Sequence, residues 1–285
     1  MSELFKNLKG VNAKSRVIRD RSTALVLNYL STIDKYLDSK ETRAIWRFIN
    51  NSNSPNVRQI RDFMRVDVDP DLDELVLGLK IDRKEPLEAT CFYEQVSSVF
   101  DQSGVDYKTV IDFCSGNCLN GAIWMLKGAE KVYFGDIHES KNSKKVRKKL
   151  EERFGSRFSV DDVNILHEDR MDSYLGVIKK SGGVVATAIH ACIGLTDRII
   201  FSSVKHGIPF AVAPCCYSRD LKDHFGDFID YPPEFHELAP YFEDFESFVN
   251  MVRINYALQH DYSVKMRVLP KSVTDKNKII IGVPN

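Results

Sequence analysis

The sequence predicts an α/β fold: a seven-stranded, mostly parallel sheet closed by a C-terminal antiparallel hairpin and preceded by a helical N-terminal extension. Three observations predict it. From Lys108 onward, short β-branched apolar runs alternate with helical stretches of about ten residues. Those runs are apolar throughout rather than alternating, as in parallel strands covered on both faces. The last two runs, DYSVKMRVL and NKIIIGV, flank a turn containing Asp275-Lys276-Asn277, which suits an antiparallel pair.

The first hundred residues read as helical. Ser22 to Leu37 carries Leu25, Leu27, Leu30, Ile33, Tyr36 and Leu37 at helical spacing. Thr42 to Ile49 follows and is stopped by Asn50-Asn51-Ser52-Asn53-Ser54-Pro55. Val57 to Met64 and Asp71 to Leu79 are further short helices, and Pro86, at an expected N1 position, opens one that runs to Gly104. The boundaries drawn on this pattern are 1–85 for the extension and 86–285 for the α/β domain.

Within that domain TVIDFCSG is the first strand, followed by a helix from Leu119 to Lys127 that closes at Gly128. KVYFGD is the second strand, and Ser140 to Phe154 a strongly basic helix. A third strand is expected in or near Asn164-Ile165-Leu166, then a helix from Asp172 to Lys180. VVATAI and PFAVA are the fourth and fifth strands, separated by a helix from Leu195 to His206. Residues 218–248, rich in aromatics and acids, are expected to form a lid over the substrate. A helix near Phe245–Gln259 precedes the hairpin.

Composition narrows the function. The chain of 285 residues has 40 Lys+Arg, 40 Asp+Glu and 43% hydrophobic residues, which excludes a disordered or fibrous protein. No apolar run approaches about 18 residues, so no membrane span is expected. Met1–Arg16 has no apolar core of the kind a secretory leader carries. With six cysteines and no leader, a reducing cytoplasm or nucleus is the expected compartment. The zero net charge is a cancellation. Residues 1–65 hold 13 basic and 6 acidic residues, 66–110 hold 4 and 11, and the remainder is balanced. The basic front is a candidate RNA contact, or a partner for the acidic stretch behind it.

The residues that carry chemistry gather at strand ends. Asp112-Phe-Cys114-Ser-Gly116-Asn117-Cys118 places small residues at alternate positions in a strand-to-helix turn, where a ligand can approach backbone. The three glycines of a dinucleotide fingerprint and the Gly-Lys-Ser/Thr of a phosphate loop are absent. Asp136, at the tip of the second strand, is placed to accept hydrogen bonds from a ribose diol or to be a solvated loop acid. Glu168-Asp169-Arg170 follows the third strand. His190-Ala-Cys192-Ile193-Gly194-Leu-Thr196-Asp197 follows the fourth, and Pro214-Cys215-Cys216-Tyr217 the fifth. Open α/β sheets bind ligands beyond the carboxyl ends of their strands, so these loops converge. The clustered cysteines have the chemistry of zinc ligands, of a redox pair, or of small packing residues. His-x-Cys and a vicinal Cys-Cys pair lack the C-x-x-C spacing of a zinc site, so no metal is expected.

The element order, the Asp112 loop, Asp136 and the closing hairpin resemble the class I S-adenosylmethionine-dependent methyltransferase fold, a Rossmann-like sheet. HAC followed by LTD, then PCCY about twenty residues on, resembles one branch of it. That branch includes the eukaryotic tRNA ribose 2′-O-methyltransferases, a methyltransferase-like domain fused to a glutathione-transferase-like region, and related proteins. The resemblance covers roughly 90–285. It departs at Ile193, where the family carries glycine, and at Cys118, the third small position of the first loop. The N-terminal zinc-finger spacing of the tRNA enzymes is absent, since no cysteine precedes Cys91.

The resemblance implies S-adenosylmethionine as cofactor. Its binding residues would be Asp112, Cys114, Gly116, Asn117, Asp136, Ile137, Asp169, Arg170 and His190. It further implies His190, Cys192 and Asp197 as catalytic residues and Cys215, Cys216 and Tyr217 on the substrate side. RNA, reached through the basic N-terminal helices, is the leading acceptor, with tRNA as the finer reading. A small molecule or a protein side chain is the alternative, and a non-catalytic binding protein that retains the fold is a third.

Overall fold

The computed structural model describes residues 68–155, 157–161, 168–217, 245–270, 273–274 and 276–285. The chain divides into two compact units, Met1–Val66 and Asp67–Asn285. The helices expected at 22–37, 42–49 and 57–64, and 218–244 of the expected lid, lie outside the described residues.

The second unit is one seven-stranded sheet: β1 (Thr109–Phe113), β2 (Lys131–Gly135), β3 (Phe158–Asp161), β4 (Val184–Ile189), β5 (Phe210–Ala213), β6 (Tyr262–Val268) and β7 (Lys278–Pro284). Its spatial order is β3-β2-β1-β4-β5-β7-β6. The first five strands pair in parallel, and β7 lies antiparallel between β5 and β6. The third strand is Phe158–Asp161, before the Asn164–Leu166 run the sequence favoured; 162–167 lie outside the described residues. All five residues of β1 and all four of β5 are buried, as continuous apolar strands under two helical layers require.

Helices α1 (Pro70–Val76), α2 (Lys84–Gln102), α3 (Leu119–Leu126), α4 (Lys141–Phe154), α5 (Glu168–Ile178), α6 (Gly194–His206) and α7 (Phe245–Gln259) cover the sheet. Their ends follow local chemistry. Asp69 caps α1 by accepting from the backbone N–H of Asp71 and Leu72, and Pro70 occupies its first position. Ser140 caps α4 by accepting from Ser143 N at 2.9 Å. Gly207, left-handed at φ 61°, ends α6. Pro86 falls in the first turn of α2 rather than opening it, because Lys84 and Glu85 already precede it in the helix.

Helix α1 was expected in the N-terminal extension, but it belongs to the sheet unit. Asp69 ion-pairs with Lys127, Asp71 with Arg153 at 2.9 Å, and Lys149 donates to the carbonyl of Leu75 at 2.7 Å. The acidic connector therefore finds cations inside its own unit. The basic face of α4 is engaged in the same way, with Lys144 and Arg147 both on Glu139.

One glycine fixes how α3 lies on the sheet. A Cβ on Gly121 would sit 2.4 Å from Phe134 and 2.9 Å from Val132, so α3 reaches β2 only without a side chain there. Gly121→Ala is expected to cost about 1–3 kcal/mol through overpacking, read as a lower urea midpoint. No helix among the described residues is long and apolar enough to cross a membrane.

Candidate active site

The strand order turns outward in opposite directions from β1 and β4, which opens a crevice beyond their carboxyl ends. Four loops meet there, each continuing a buried strand. In the loop after β1, Cys114, Gly116 and Cys118 all adopt positive φ, at 54°, 50° and 65°. The alternate small residues thus mark alternate left-handed positions, two of them filled by cysteine rather than glycine. The turn is held from below by Asp112, which is 1% exposed. Its carboxylate accepts from Asn120 Nδ2 at 2.6 Å and from the Gly121 N–H at 2.8 Å. Burial pushes its pKa up to about 7 against these two donors. Asp112 borders the cleft, with both oxygens committed to the start of α3.

Asp136 faces the same turn from the end of β2. One oxygen accepts from Gly116 N at 2.8 Å and the other from His138 N at 2.9 Å. Asn117 bridges two helices, donating to Glu85 at 2.7 Å and accepting from Ser140 at 2.7 Å. Two cavities flank Ser115 and Gly116. One, of about 290 Å³, is lined by Glu85, Glu88, Asp112, Asn117, Asn120 and His190 among others. The other, of about 220 Å³, is lined by Asp136, Ile137 and His138 among others, with Ile137 half exposed.

His190 extends β4 by one residue, donating its N–H to the Ala213 carbonyl at 3.0 Å and turning at φ 62°. Its Nε2 lies 2.8 Å from Glu88 Oε2 on α2. Glu88 is 2% exposed. Burial works to raise its pKa, but His190 and then Lys84 outweigh it, and the group ends below the usual carboxylate range. An ionised Glu88 calls for a proton on Nε2, which leaves Nδ1 as the ring nitrogen outside that contact. Sequence reasoning missed Glu88. The signal available was an acid three residues after Glu85, on one face of a helix otherwise rich in apolar residues.

Other expected site residues fall elsewhere. Asp197, expected beside His190, is fully buried and holds Arg253 of α7 in a two-bond pair at 2.6 and 2.8 Å. The carboxylate on His190 is Glu88's instead. Burial disfavours the Arg253 charge, and Asp197 more than restores it. Tyr217, expected on the substrate side, lies within hydrogen-bond distance of Asn250, with Arg253 over its ring at 5.4 Å. These contacts tie it to α7. Asp169 and Arg170 fall in the first turn of α5, and their side chains lie outside the described part of the structure.

Cys192, Cys215 and Cys216 do come together. Their sulfurs are separated by 2.8 Å (192 to 215), 3.4 Å (192 to 216) and 3.4 Å (215 to 216). Burial raises the pKa of the Cys192 and Cys215 thiols, so neither is set up as an activated nucleophile. Burial likewise pushes Cys114 and Cys118 up to about 12. Ile193 adopts φ 50° and ψ −129°, a strained conformation for a β-branched residue.

Strand order, the antiparallel β7 and the loops after β1 and β2 define a Rossmann-like, mostly parallel seven-stranded sheet with a C-terminal antiparallel hairpin. No family model and no curated protein matches the chain. Solved structures similar to it include the B. subtilis m1A22 tRNA methyltransferase TrmK, at 12% identity and TM-score 0.41, covering 73% of this chain and 68% of that one. A bacterial Hen1 methyltransferase domain (CtHen1-C) is similar at 15% and 0.43, covering 68% and 99%. A geranyl diphosphate methyltransferase in complex with SAM is similar at 12% and 0.40, covering 74% and 94%. The fold assignment rests on strand order and loop geometry.

Proposed function

We propose that the protein is an S-adenosylmethionine-dependent methyltransferase in which His190, supported by Glu88, deprotonates the acceptor. The observation that carries this is the 2.8 Å contact between His190 and a buried carboxylate, at the rim of a cleft bordered by Asp112 and continued past Ser115 to Asp136.

The residues present fit the cofactor. Asn120 Oδ1 is a buried acceptor without a hydrogen-bond partner in a residue lining the cleft, as a methionyl ammonium group requires. Asp136 would take the ribose hydroxyls and Ile137 would pack on the adenine. When bound, the cofactor supplies an electrophilic methyl group on a sulfonium. Methyl transfer then needs an aligned nucleophile, so the cleft works chiefly by positioning. His190 Nδ1 takes the proton that a hydroxyl or amine acceptor loses, and ionised Glu88 stabilises the resulting imidazolium. Cys192, two residues on, would stand on the acceptor side.

RNA is the proposed acceptor class, and a tRNA would fit the branch whose His-x-Cys and Pro-Cys-Cys motifs the sequence resembles. The support is the excess of seven positive charges in 1–65. Asp69, Asp71 and Glu88 are paired inside the sheet unit, so that excess is not required to neutralise them. A small-molecule or protein side-chain acceptor is the second reading, favoured by the acids and aromatics of 218–248. The compartment that goes with the first reading is cytoplasm or nucleus. The test is transfer of radiolabelled methyl groups to whole-cell RNA, protein and metabolite fractions. Label is expected in RNA. Label confined to protein or metabolites selects the second reading, and no label in any fraction contradicts catalysis.

A further inference from the structure

We propose that Cys192, Cys215 and Cys216 form a three-thiolate site for a soft metal ion, zinc being the ion it is built to take. The sequence argues against such a site, because a single cysteine and a vicinal pair 23 residues away do not make a metal motif. The sheet supplies what the spacing lacks. β4 and β5 pair in parallel with Ile189 opposite Ala213, and the His190 N–H bonds to the Ala213 carbonyl. Cys192 leaves that register three residues past Ile189, and Cys215 leaves it two residues past Ala213. Cys216 follows at once. All three ligand atoms lie within 4.8 Å of one another, with Cys192 and Cys215 half-buried and Cys216 exposed.

Three sulfurs at comparable distances suit a metal better than a disulfide. A disulfide consumes two of them, leaves the third unused and requires an oxidant. Zinc uses all three: Zn²⁺ displaces three thiol protons and forms a tris-thiolate complex of charge −1, with the protons released to solvent. Zn–S bonds of about 2.3 Å in tetrahedral geometry place sulfurs about 3.8 Å apart. Relative to the 2.8–3.4 Å seen here, the sulfurs need to part by at most about 1 Å. His190 is not among the ligand atoms that lie within 4.8 Å of one another. Three protein ligands leave a fourth position for water or an external donor, the coordination of a catalytic rather than a purely structural zinc. The site joins the loops after β4 and β5, and it does not depend on the methyltransferase reading.

The experiment uses the full chain, purified under reducing conditions, stripped with a chelator and titrated with Zn²⁺ against a chromogenic chelator. About one tightly held zinc per chain is expected. Cys192→Ser and Cys216→Ser should each weaken it by at least about 100-fold, beyond the 10–100-fold effect of losing a supporting contact. Cys91→Ser, outside the trio, should leave it unchanged. Cobalt(II) added in place of zinc should give thiolate-to-metal charge-transfer absorption in the wild type, and the Cys216→Ser variant should lose it. The wild-type titration and the cobalt spectrum stand even if a variant fails to fold. The proposal is overturned if the reduced wild type holds no zinc, if zinc is held equally well by both variants, or if cobalt binds without thiolate absorption.

Discussion

His190→Ala is expected to lower the rate of methyl transfer by about 10²–10⁴-fold while S-adenosylmethionine affinity changes little. That range is what a positioned general base contributes. Cofactor affinity is spared because Asp136, after β2, and Asn120, in α3, carry the expected polar contacts to the cofactor. Glu88→Gln acts through the imidazole and separates positioning from chemistry. It keeps a side chain of the same shape at 2.8 Å but removes the charge that stabilises the imidazolium. A smaller loss in kcat is expected, with KM little changed and the acid limb of the pH–rate profile displaced. An unchanged profile with unchanged kcat would remove Glu88 from the mechanism.

The second large effect is on stability. Arg253→Met or Asp197→Asn should destabilise the protein by about 3–5 kcal/mol, because each leaves its partner charged or polar in a fully buried place. For a unit of this size that corresponds to a fall in Tm of about 6–20 °C. The double variant Asp197→Leu with Arg253→Met should recover much of the loss, since a buried pair is dispensable when both members go. Thermal unfolding followed by circular dichroism measures both. Single substitutions costing under about 1 kcal/mol would mean that the pair is solvated or loosely held.

The contrast between Asp197 and Glu88 shows what the sequence could and could not carry. Asp197 stands seven residues after His190 in a loop-to-helix segment, which made it a plausible orienting acid. Its partner, Arg253, is 56 residues further on, in a helix whose packing on α6 no local pattern discloses. Glu88 lies 102 residues before His190, and only the crossing of α2 over the sheet joins them. Periodicity reports faces, not which face meets which.

Local rules did better where the chain is local. Alternate small residues at 114, 116 and 118 became alternate left-handed positions, and continuous apolar runs became β1, β4 and β5. The third strand was misplaced because FSVD has only two apolar residues, and Ile165-Leu166 nearby made a stronger run. The extension boundary was drawn too late for a related reason. The acids at 69 and 71 read as connector until their cations, Lys127 at the end of α3 and Arg153 on α4, are seen.

Calorimetric titration of the folded protein with S-adenosylmethionine tests the central claim most directly. Saturable one-site binding, weakened strongly by Asp136→Ala, is the predicted result. No heat of binding at millimolar ligand, with the protein shown to be folded, would contradict it.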